Sequence, residues 1–403
     1  MSATSLSSSS RKTPTRSIIL LAAAGFASQA QVRVTDSLLP QIATDFRTTV
    51  GVAAIVLTAY AITHGSIQFV VGPVADRFGK YRTVAIASVL AAVLVAACGT
   101  VSSLPQLAIA RLATGAVAGW VIPVSMAYVG DVTPADRLQP ILARYASGYI
   151  LGQLFGQAAG GVLGDLFGWR LVFFALGGMF ALAAAGLIFE LVANPQTRAA
   201  DHRAASRRGF VADYAAILSN PFARMIIMVG FIEGALAWGA FAYIGANLHL
   251  RFDLSFTLVG LTVACFGIGG LIYSGLVRLL VYRLGQIGLT IIGGFVITAA
   301  YVVLAFQQVW WFAPIAVTAI GLGFYMFHNT LQTKATQMTP EARGTAVAIF
   351  SSALYFGQTA GVAAGALVID RLGAKPLFLG TAVAFPMLAI WFANQLRQRQ
   401  PLV

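Results

Sequence analysis

Long apolar stretches recur along the whole chain, and they constrain its fold more than any other feature. Hydrophobic residues make up 58% of the 403 residues and charged residues only 10%, whereas an ordinary soluble domain carries about a quarter charged residues. A stretch of roughly 20 apolar residues can cross a hydrocarbon layer about 30 Å thick. Twelve such stretches lie near 17–45, 50–73, 82–101, 104–130, 140–166, 168–193, 222–248, 255–281, 285–307, 309–336, 343–369 and 374–396.

These stretches are predicted to be helices. Backbone groups in lipid must be hydrogen-bonded within the protein, and the chain lacks the alternating ten-residue pattern of barrel strands. The fold class is therefore an all-α membrane protein with twelve transmembrane helices.

The net charge of +13 is unevenly distributed between the predicted loops. An even number of spans puts both termini on one side. Of the 26 basic residues, 19 then lie on that side and five on the other, with Arg33 and Arg111 inside spans. Basic residues are enriched in cytoplasmic loops, so we expect an integral protein of the lipid bilayer, in a bacterial inner membrane, with both termini cytoplasmic. The charge is an orientation signal, and we expect no nucleic-acid partner.

The longest polar interval divides the spans into six and six. We expect a disordered cytoplasmic tail at 1–16, an N-terminal six-helix bundle at 17–193, a cytoplasmic linker at 194–221, a C-terminal six-helix bundle at 222–396 and a cytoplasmic tail at 397–403.

The two halves also repeat each other at a constant spacing. Nine positions recur 205 residues later: Gly152, Gln153, Gly156, Gly160, Asp165, Gly168 and Phe173 return as Gly357, Gln358, Gly361, Gly365, Asp370, Gly373 and Phe378, and Ala158 and Ala159 return as Ala363 and Ala364. The repeat predicts two pseudo-symmetric six-helix bundles, and parallel repeats of this kind are typical of transporters whose halves rock about a central site.

A charged segment, Gly72–Arg82, lies between the second and third apolar stretches and has the layout G-x-x-x-D-R-x-G-K-x-R. It resembles the loop signature of the major facilitator superfamily. The resemblance implies that family's fold and a gate on the cytoplasmic side. The gate residues would be Gly72, Asp76, Arg77, Gly79, Lys80, Arg82 and Asp131.

The same resemblance gives this segment its partners. Asp76 would dock against the start of the eleventh helix, where Thr339-Pro340-Glu341 reads as a helix cap. The loop bases would pair with Asp131 or Asp136 at the inner end of the fourth helix.

A few ionisable residues lie deep in the spans, where each is costly unless it is paired or faces water. At about 1.5 Å per residue, Asp36 and Arg111 lie at similar depths, so we expect them to pair. Arg33 is one turn from Asp36 and shares its face with Gln29. Glu233 lies near the midplane, and no base close in sequence offers it a partner.

Two short motifs sharpen this set. The first helix contains D-x-x-x-P at Asp36 and Pro40, and the fourth contains R-x-x-x-G at Arg111 and Gly115. Both are similar to motifs of twelve-span drug/proton antiporters, a resemblance that implies a proton-coupling role for Asp36 and Arg111. Arg33, on the same face as Asp36, and Glu233, as an unpaired acid near the midplane, are further proton-coupling candidates. A purely structural pairing of Asp36 with Arg111 is the alternative.

The fifth span carries glycines at every fourth position from Gly148 to Gly164. Such a stripe lets another helix approach closely. It also resembles the antiporter signature of drug exporters, G-x-x-x-G-P-x-x-G-G, except that Gln157 stands where that signature has proline. Close packing and an antiporter role both remain open for it.

Polar side chains elsewhere in the spans complete the predicted substrate site. It comprises Gln29, Asp36, Gln153, Gln157, Glu233, His328, Asn329, Gln332, Tyr355 and Gln358. Singly, each is equally typical of a helix-to-helix hydrogen bond.

The expected function is proton-coupled efflux of small amphipathic or cationic compounds, by antiport. A symporter or facilitator for a sugar, organic acid or amino acid is the alternative, and a transporter-like receptor is a third. We expect no enzyme activity, no cofactor beyond a proton gradient and no metal, since the four histidines lack ligand spacing. The expected partners are the substrate, protons and lipid, and the chain is expected to be a monomer.

Overall fold

The computed structural model describes residues 14–198, 210–339 and 343–399. Helices dominate these ranges, which contain no strands. The helices are α1 (Thr15–Asp45), α2 (Val50–Ala53), α3 (Ile55–Phe78), α4 (Lys80–Cys98), α5 (Leu104–Ala118), α6 (Val121–Val132), α7 (Ala135–Phe167), α8 (Trp169–Ala193), α9 (Phe210–Ser219), α10 (Pro221–Phe241), α11 (Ile244–Phe252), α12 (Phe256–Phe306), α13 (Phe312–Ala335), α14 (Arg343–Leu372) and α15 (Ala374–Gln398), with a 3-10 turn at Pro195–Arg198.

Twelve spans follow from this helix order. Ten helical stretches of the described residues are long and apolar enough to cross a membrane, with α2–α3, α5–α6 and α10–α11 each counted as one stretch. The 51-residue α12 is two spans, because Gly285 interrupts it with φ 61° and ψ −178°. The twelfth span is α7, whose glycines and glutamines make it less apolar than the others. The all-α, twelve-span prediction is confirmed.

The repeat is visible in the backbone itself. Within the described ranges, six residues have positive φ, and they form three equivalent pairs. These pairs are Gly79 with Gly285, Gly168 with Gly373, and Arg47 with Asp253. Each pair lies between the same two spans in each half. The glycines provide a conformation that other residues rarely adopt, which accounts for the repetition of the turns.

Helix contacts repeat as closely as the turns. A Cβ at Gly152 would overlap the main-chain oxygen of Phe26, and a Cβ at Gly357 would overlap that of Phe231. The same holds for Gly156 with Ala30 and for Gly361 with Ala235. The fifth span of each half therefore packs against the first span of that half, backbone to backbone.

Along its first span the C-terminal half has one residue more than the N-terminal half. Phe26 and Phe231 are equivalent at a spacing of 205, whereas Arg47 and Asp253 are equivalent at 206. The additional residue falls where α10 ends and α11 begins, at Ala242–Tyr243. Equivalent positions are therefore 205 apart before this break and 206 apart from it as far as Thr133 and Thr339, whereas in the fifth and sixth spans, as at Gly168 and Gly373, they are again 205 apart.

The two bundles meet at the end opposite the chain termini. Gly161 of α7 and Gly260 of α12 touch there, because a Cβ on Gly260 would lie 2.6 Å from the Cα of Gly161. Toward the terminus side the bundles separate. On α3, a Cβ at Gly65 would lie 2.9 Å from the Tyr355 side chain, whereas one at Gly72, two turns further on the same face, would meet nothing within 4 Å. The space between the bundles thus opens toward the termini.

The predicted linker at 194–221 contains the 3-10 turn and α9, and residues 199–209 lie outside the described ranges. The helix α9 was not predicted from sequence. Its Tyr214 hydroxyl donates to the main-chain oxygen of Phe69 on α3 at 3.2 Å, so this helix of the linker contacts the N-terminal half. The predicted tails lie outside the described residues only at 1–13 and 400–403, and their inner ends are helical instead, because α1 already begins at Thr15 and α15 continues to Gln398.

Candidate functional site

A buried ion pair lies at the centre of the bundle interface. Arg33 Nη1 is 3.6 Å from Asp36 Oδ2, and the two side chains are 8% and 2% exposed. Both residues come from α1, three positions apart, so they share one helix face. The Arg33 guanidinium also lies over the ring of Trp238 on α10, with its Cζ 3.4 Å from the ring centroid.

The contact between Arg33 and Trp238 has a particular position in the fold. The two residues are 205 apart, on the first span of each half before the Ala242–Tyr243 break, so they are pseudo-equivalent. Two equivalent residues can touch only close to the pseudo-two-fold axis that relates the halves. The Arg33–Asp36 pair therefore lies beside that axis.

The expected ion pair between Asp36 and Arg111 is not formed, and that prediction is wrong as a direct contact. Arg111 is completely buried. Its Nε donates to the main-chain oxygen of Val56 at 3.3 Å and its Nη1 to that of Gln31 at 3.5 Å. Its guanidinium also lies 4.4 Å from the ring centroid of Tyr60. Arg111 thus links α5 to α1 and α3, while Arg33 pairs with Asp36.

The glycine stripe of the fifth span packs against α1. The Gly152 and Gly156 contacts described above place it there, and Gly160 faces Ser37, whose Oγ would lie 2.6 Å from an added Cβ. Gln157 is fully buried beside the stripe, and its amide oxygen and nitrogen have no hydrogen-bond partner in the described part of the chain. Gln153 is also buried, with its Nε2 unpartnered there.

Glu233 is not the lone acid that the sequence suggested. It is fully buried on α10, and both of its carboxylate oxygens lie near Nδ1 of His328 on α13, at 3.0 and 3.1 Å. The ring of Phe324 stacks on His328 at a centroid distance of 5.0 Å. The partner was missed because it is 95 positions away in sequence. The C-terminal half therefore has its own buried acid–base pair.

The remaining predicted site residues lie on α1, α13 and α14. Asn329 donates from Nδ2 to the Tyr273 hydroxyl at 2.7 Å. Tyr355 lies against His64, with ring centroids 4.2 Å apart. The other three are Gln358, buried on α14, Gln29, half-buried on α1, and Gln332, exposed at the terminus-side end of α13.

Two further buried polar residues, His64 and Gln31, lie in the N-terminal bundle. His64 Nδ1 is 2.9 Å from the Tyr60 hydroxyl, and Tyr60 also packs against Arg111. Gln31 is fully buried with both amide atoms unpartnered within the described ranges. The unusual polarity of a glutamine inside an apolar helix was the available signal for Gln31.

The charged segment Gly72–Arg82 is helical rather than a turn. The helix α3 continues to Phe78, a single residue, Gly79, changes the direction of the chain with φ 89°, and α4 begins at Lys80. Lys80 Nζ lies 2.5 Å from Asp131 and 3.2 Å from Asp76. One pairing expected from the sequence, a loop base with Asp131, is thus present.

Most of the expected docking site of Asp76, at the start of the eleventh span, lies outside the described residues. Pro340 and Glu341 lie outside the described residues, as does the side chain of Asp136. Asp76 is about half exposed and pairs with Lys80. Arg77 and Arg82 are exposed, and an added Cβ at Gly72 would meet nothing within 4 Å.

Two carboxylates hold the bundles together at the opposite end. Asp165 at the end of α7 accepts from the Thr257 hydroxyl at 2.7 Å and from its main-chain N–H at 3.2 Å. The equivalent Asp370 at the end of α14 accepts from the Thr49 hydroxyl at 2.6 Å and the Gly51 N–H at 3.0 Å. We call these two contacts the outer clasps. Each carboxylate caps the start of a helix in the other half, a role that the repeat alone did not indicate.

Comparison with known proteins identifies similar sequences. The sequence profile described as Major Facilitator Superfamily matches residues 21–362. An uncharacterised transporter of that type from Bacillus subtilis (strain 168), YceJ, is 25% identical over 80% of this chain and 82% of its own. The multi-drug resistance efflux pump PmrA of Streptococcus pneumoniae serotype 4 is 25% identical over 83% of this chain and 84% of its own.

A solved structure shares the fold. It is a bacterial homologue of the human lysosomal transporter Spinster, in an inward-facing conformation. The two chains superpose with a TM-score of 0.75 at 14% identity, over 96% of this chain and 98% of the other.

Proposed function

Because the chain belongs to the major facilitator superfamily and is an integral membrane transporter, we propose that it exports small amphipathic or cationic compounds in exchange for protons. The observation that carries this proposal is the buried Arg33–Asp36 pair beside the pseudo-two-fold axis. Transport would proceed by alternating access, with the two bundles rocking about that pair.

Asp36 is poorly satisfied for a buried carboxylate. Its closest basic nitrogen is at 3.6 Å, and Oδ2 has no hydrogen bond in the described part of the chain. A buried charge needs a close partner with good geometry. Asp36 can take the Arg33 guanidinium, a proton or a cationic substrate as that partner. Competition among the three would couple proton entry to substrate release.

The surroundings of Arg33 favour a cationic or aromatic substrate. The Trp238 face now holds the Arg33 guanidinium, and Tyr60, Tyr355 and His64 add further ring faces beside the cavity. Aromatic faces attract organic cations. A substrate cation could replace Arg33 both over the Trp238 ring and beside Asp36. The Glu233–His328 pair would add a second exchangeable proton in the same cavity.

The outer clasps are closed and the bundles are apart on the terminus side, which corresponds to one end state of the proposed alternating-access cycle. If both termini are cytoplasmic, as the charge distribution indicates, the cavity faces the cytoplasm and is ready to take up substrate. Lys80, held between Asp76 and Asp131, would rearrange when this side closes. An export direction is also supported by the name of the similar protein PmrA, an efflux pump.

The test is gradient-driven transport in proteoliposomes. Purified protein is reconstituted, a pH gradient is imposed, and uptake of a fluorescent organic cation is measured in wild type and in Asp36→Asn. The asparagine keeps the size of the side chain but cannot exchange a proton, so gradient-driven uptake should be lost while thermal unfolding in detergent stays unchanged.

Asp45→Asn is the matched control. Asp45 lies on the same helix but pairs with Arg170 at the outer end, away from the cavity, so this variant should keep its gradient-driven uptake. Unchanged uptake by Asp36→Asn, or equal uptake by the wild type with and without a pH gradient, would refute the proposal.

A further inference from the structure

A cavity of about 300 Å³ lies at the outer end of the C-terminal bundle, away from the transport pathway. It is bounded by the ends of α11 and α12 and the start of α15, and Arg251, Lys375 and Asn247 line it. The Nδ2 of Asn247 is buried and has no hydrogen-bond partner among the described residues. Two bases and an unpartnered amide donor thus converge on one cavity.

The equivalent place in the N-terminal bundle contains an internal carboxylate. There Asp45 Oδ2 accepts from Arg170 Nη1 at 2.6 Å and from Trp169 Nε1 at 3.1 Å. Lys375 is the repeat equivalent of Arg170, and Arg251 is the equivalent of Asp45. The repeat has therefore replaced the acid of this ion pair by a second base.

Neither base of the C-terminal pair has a carboxylate partner within the described ranges. Instead, Lys375 Nζ lies 4.4 Å from the ring centroid of Phe306, and Arg251 Cζ lies 5.2 Å from that of Phe252. Two like charges at one site repel each other. An oxyanion between them would occupy the position that the Asp45 carboxylate fills in the other half.

We propose that this cavity binds an external oxyanion, a phosphate group, through Arg251, Lys375 and Asn247. Arginine presents a planar fork of donors that matches phosphate oxygens. Phe306 and Leu372 beside the cavity are 53% and 67% exposed, so apolar surface continues from the cavity toward the lipid. The phosphate belongs either to the headgroup of an anionic lipid or to a free ion.

The experiment compares these two sources directly. The thermal midpoint of purified wild type is measured in detergent against sodium phosphate, with sodium chloride at equal ionic strength to cancel screening. A second arm adds phosphatidylglycerol, with phosphatidylcholine as the neutral lipid. Arg251→Asp rebuilds the arrangement of the N-terminal half by giving Lys375 an internal carboxylate. Arg371→Asp makes the same charge change at an exposed base outside the cavity.

The wild type and Arg371→Asp are expected to be stabilised by phosphatidylglycerol, by phosphate, or by both, beyond the matched control. Arg251→Asp is expected to lose that stabilisation, with at least about a tenfold rise in the half-saturating concentration, since one charge-assisted contact is removed. Stabilisation by the lipid alone assigns the phosphate to a headgroup, and stabilisation by the salt assigns it to a free ion.

Two results would overturn the proposal. One is an equal midpoint of the wild type in all four additives. The other is full retention of the anion effect in Arg251→Asp or, should that variant fail to fold, in Lys375→Gln.

Discussion

In the N-terminal half the end of the first span carries Asp45, which pairs with Arg170, whereas the same two positions of the C-terminal half carry Arg251 and Lys375. The turns on which these residues lie are nevertheless equivalent, with positive φ at Arg47 and Asp253. The backbone has thus been kept while the charges have changed.

The buried ionisable groups differ between the halves in the same way. Arg33 and Asp36 of the first half have Trp238 and Phe241 at the equivalent positions, and Arg111 has Val317. The second half instead has Glu233 and His328. Backbone contacts and helix caps are shared because both halves must close against each other. The charges need not be shared if, as proposed, a single coupling site beside the axis serves the whole molecule.

The largest expected effect comes from replacing Arg111 by an apolar residue. The equivalent position of the second half is apolar already, at Val317. Arg111 has no carboxylate partner in the described part of the chain, so the cost of burying its charge is not offset by an ion pair. Arg111→Met should therefore unfold at the same temperature as the wild type or higher. Gradient-driven uptake should fall at least about tenfold, since the charge-assisted hydrogen bonds that tie α5 to α1 at Gln31 and to α3 at Val56 are lost.

The measurements for Arg111→Met are proteoliposome uptake and thermal unfolding in detergent. A Val317→Leu variant controls for packing at the equivalent position and should retain uptake. If Arg111→Met transports normally, the guanidinium has only a packing role.

The sequence predicts the spans of this protein but only part of its buried ion pairs. The spans and the repeat follow from local hydropathy and spacing, which are properties of the chain alone. Asp36 and Arg111 lie at one depth in the sequence, but the position of a residue along a helix does not give the direction in which its side chain leaves that helix. That direction depends on packing, which turns Arg111 toward the oxygens of Val56 and Gln31. For the same reason the sequence did not predict the contact between His328 and Glu233.

A second, smaller effect tests whether the shared packing is equally strong in both halves. Gly156 and Gly361 each lie so close to a main-chain oxygen of the first span that a methyl group would overlap it. Gly156→Ala and Gly361→Ala should each destabilise the protein by about 1–3 kcal/mol, and by similar amounts. The thermal midpoint in detergent checks this.

Gly178→Ala provides the control for these glycines. Gly178 lies within α8, and an added Cβ would meet nothing within 4 Å, so alanine should stabilise slightly through its higher helix propensity. Clearly unequal losses of stability in Gly156→Ala and Gly361→Ala would show that the two equivalent contacts stabilise their halves to different extents.

The smallest expected effect concerns the outer clasps, where the halves are equivalent in both geometry and charge. Asp165→Ala and Asp370→Ala each remove a carboxylate that caps a helix of the other half. Both clasps are exposed, so each is worth on the order of 1 kcal/mol. Each substitution should shift the ratio of outer-open to outer-closed molecules about fivefold, and the double variant should show the product of the two shifts.

Spin labels on one exposed residue of each bundle at the outer end measure that ratio as a distance distribution. Asp45→Asn is the matched control, because Asp45 is an acid at the same end whose partners all lie within its own half. Its distance distribution should match that of the wild type. If one clasp variant opens the outer end and the other does not, the equivalence of the halves fails at the point where they touch. Closure of the outer end would then depend on a single carboxylate, even though the backbone there is the same in both halves.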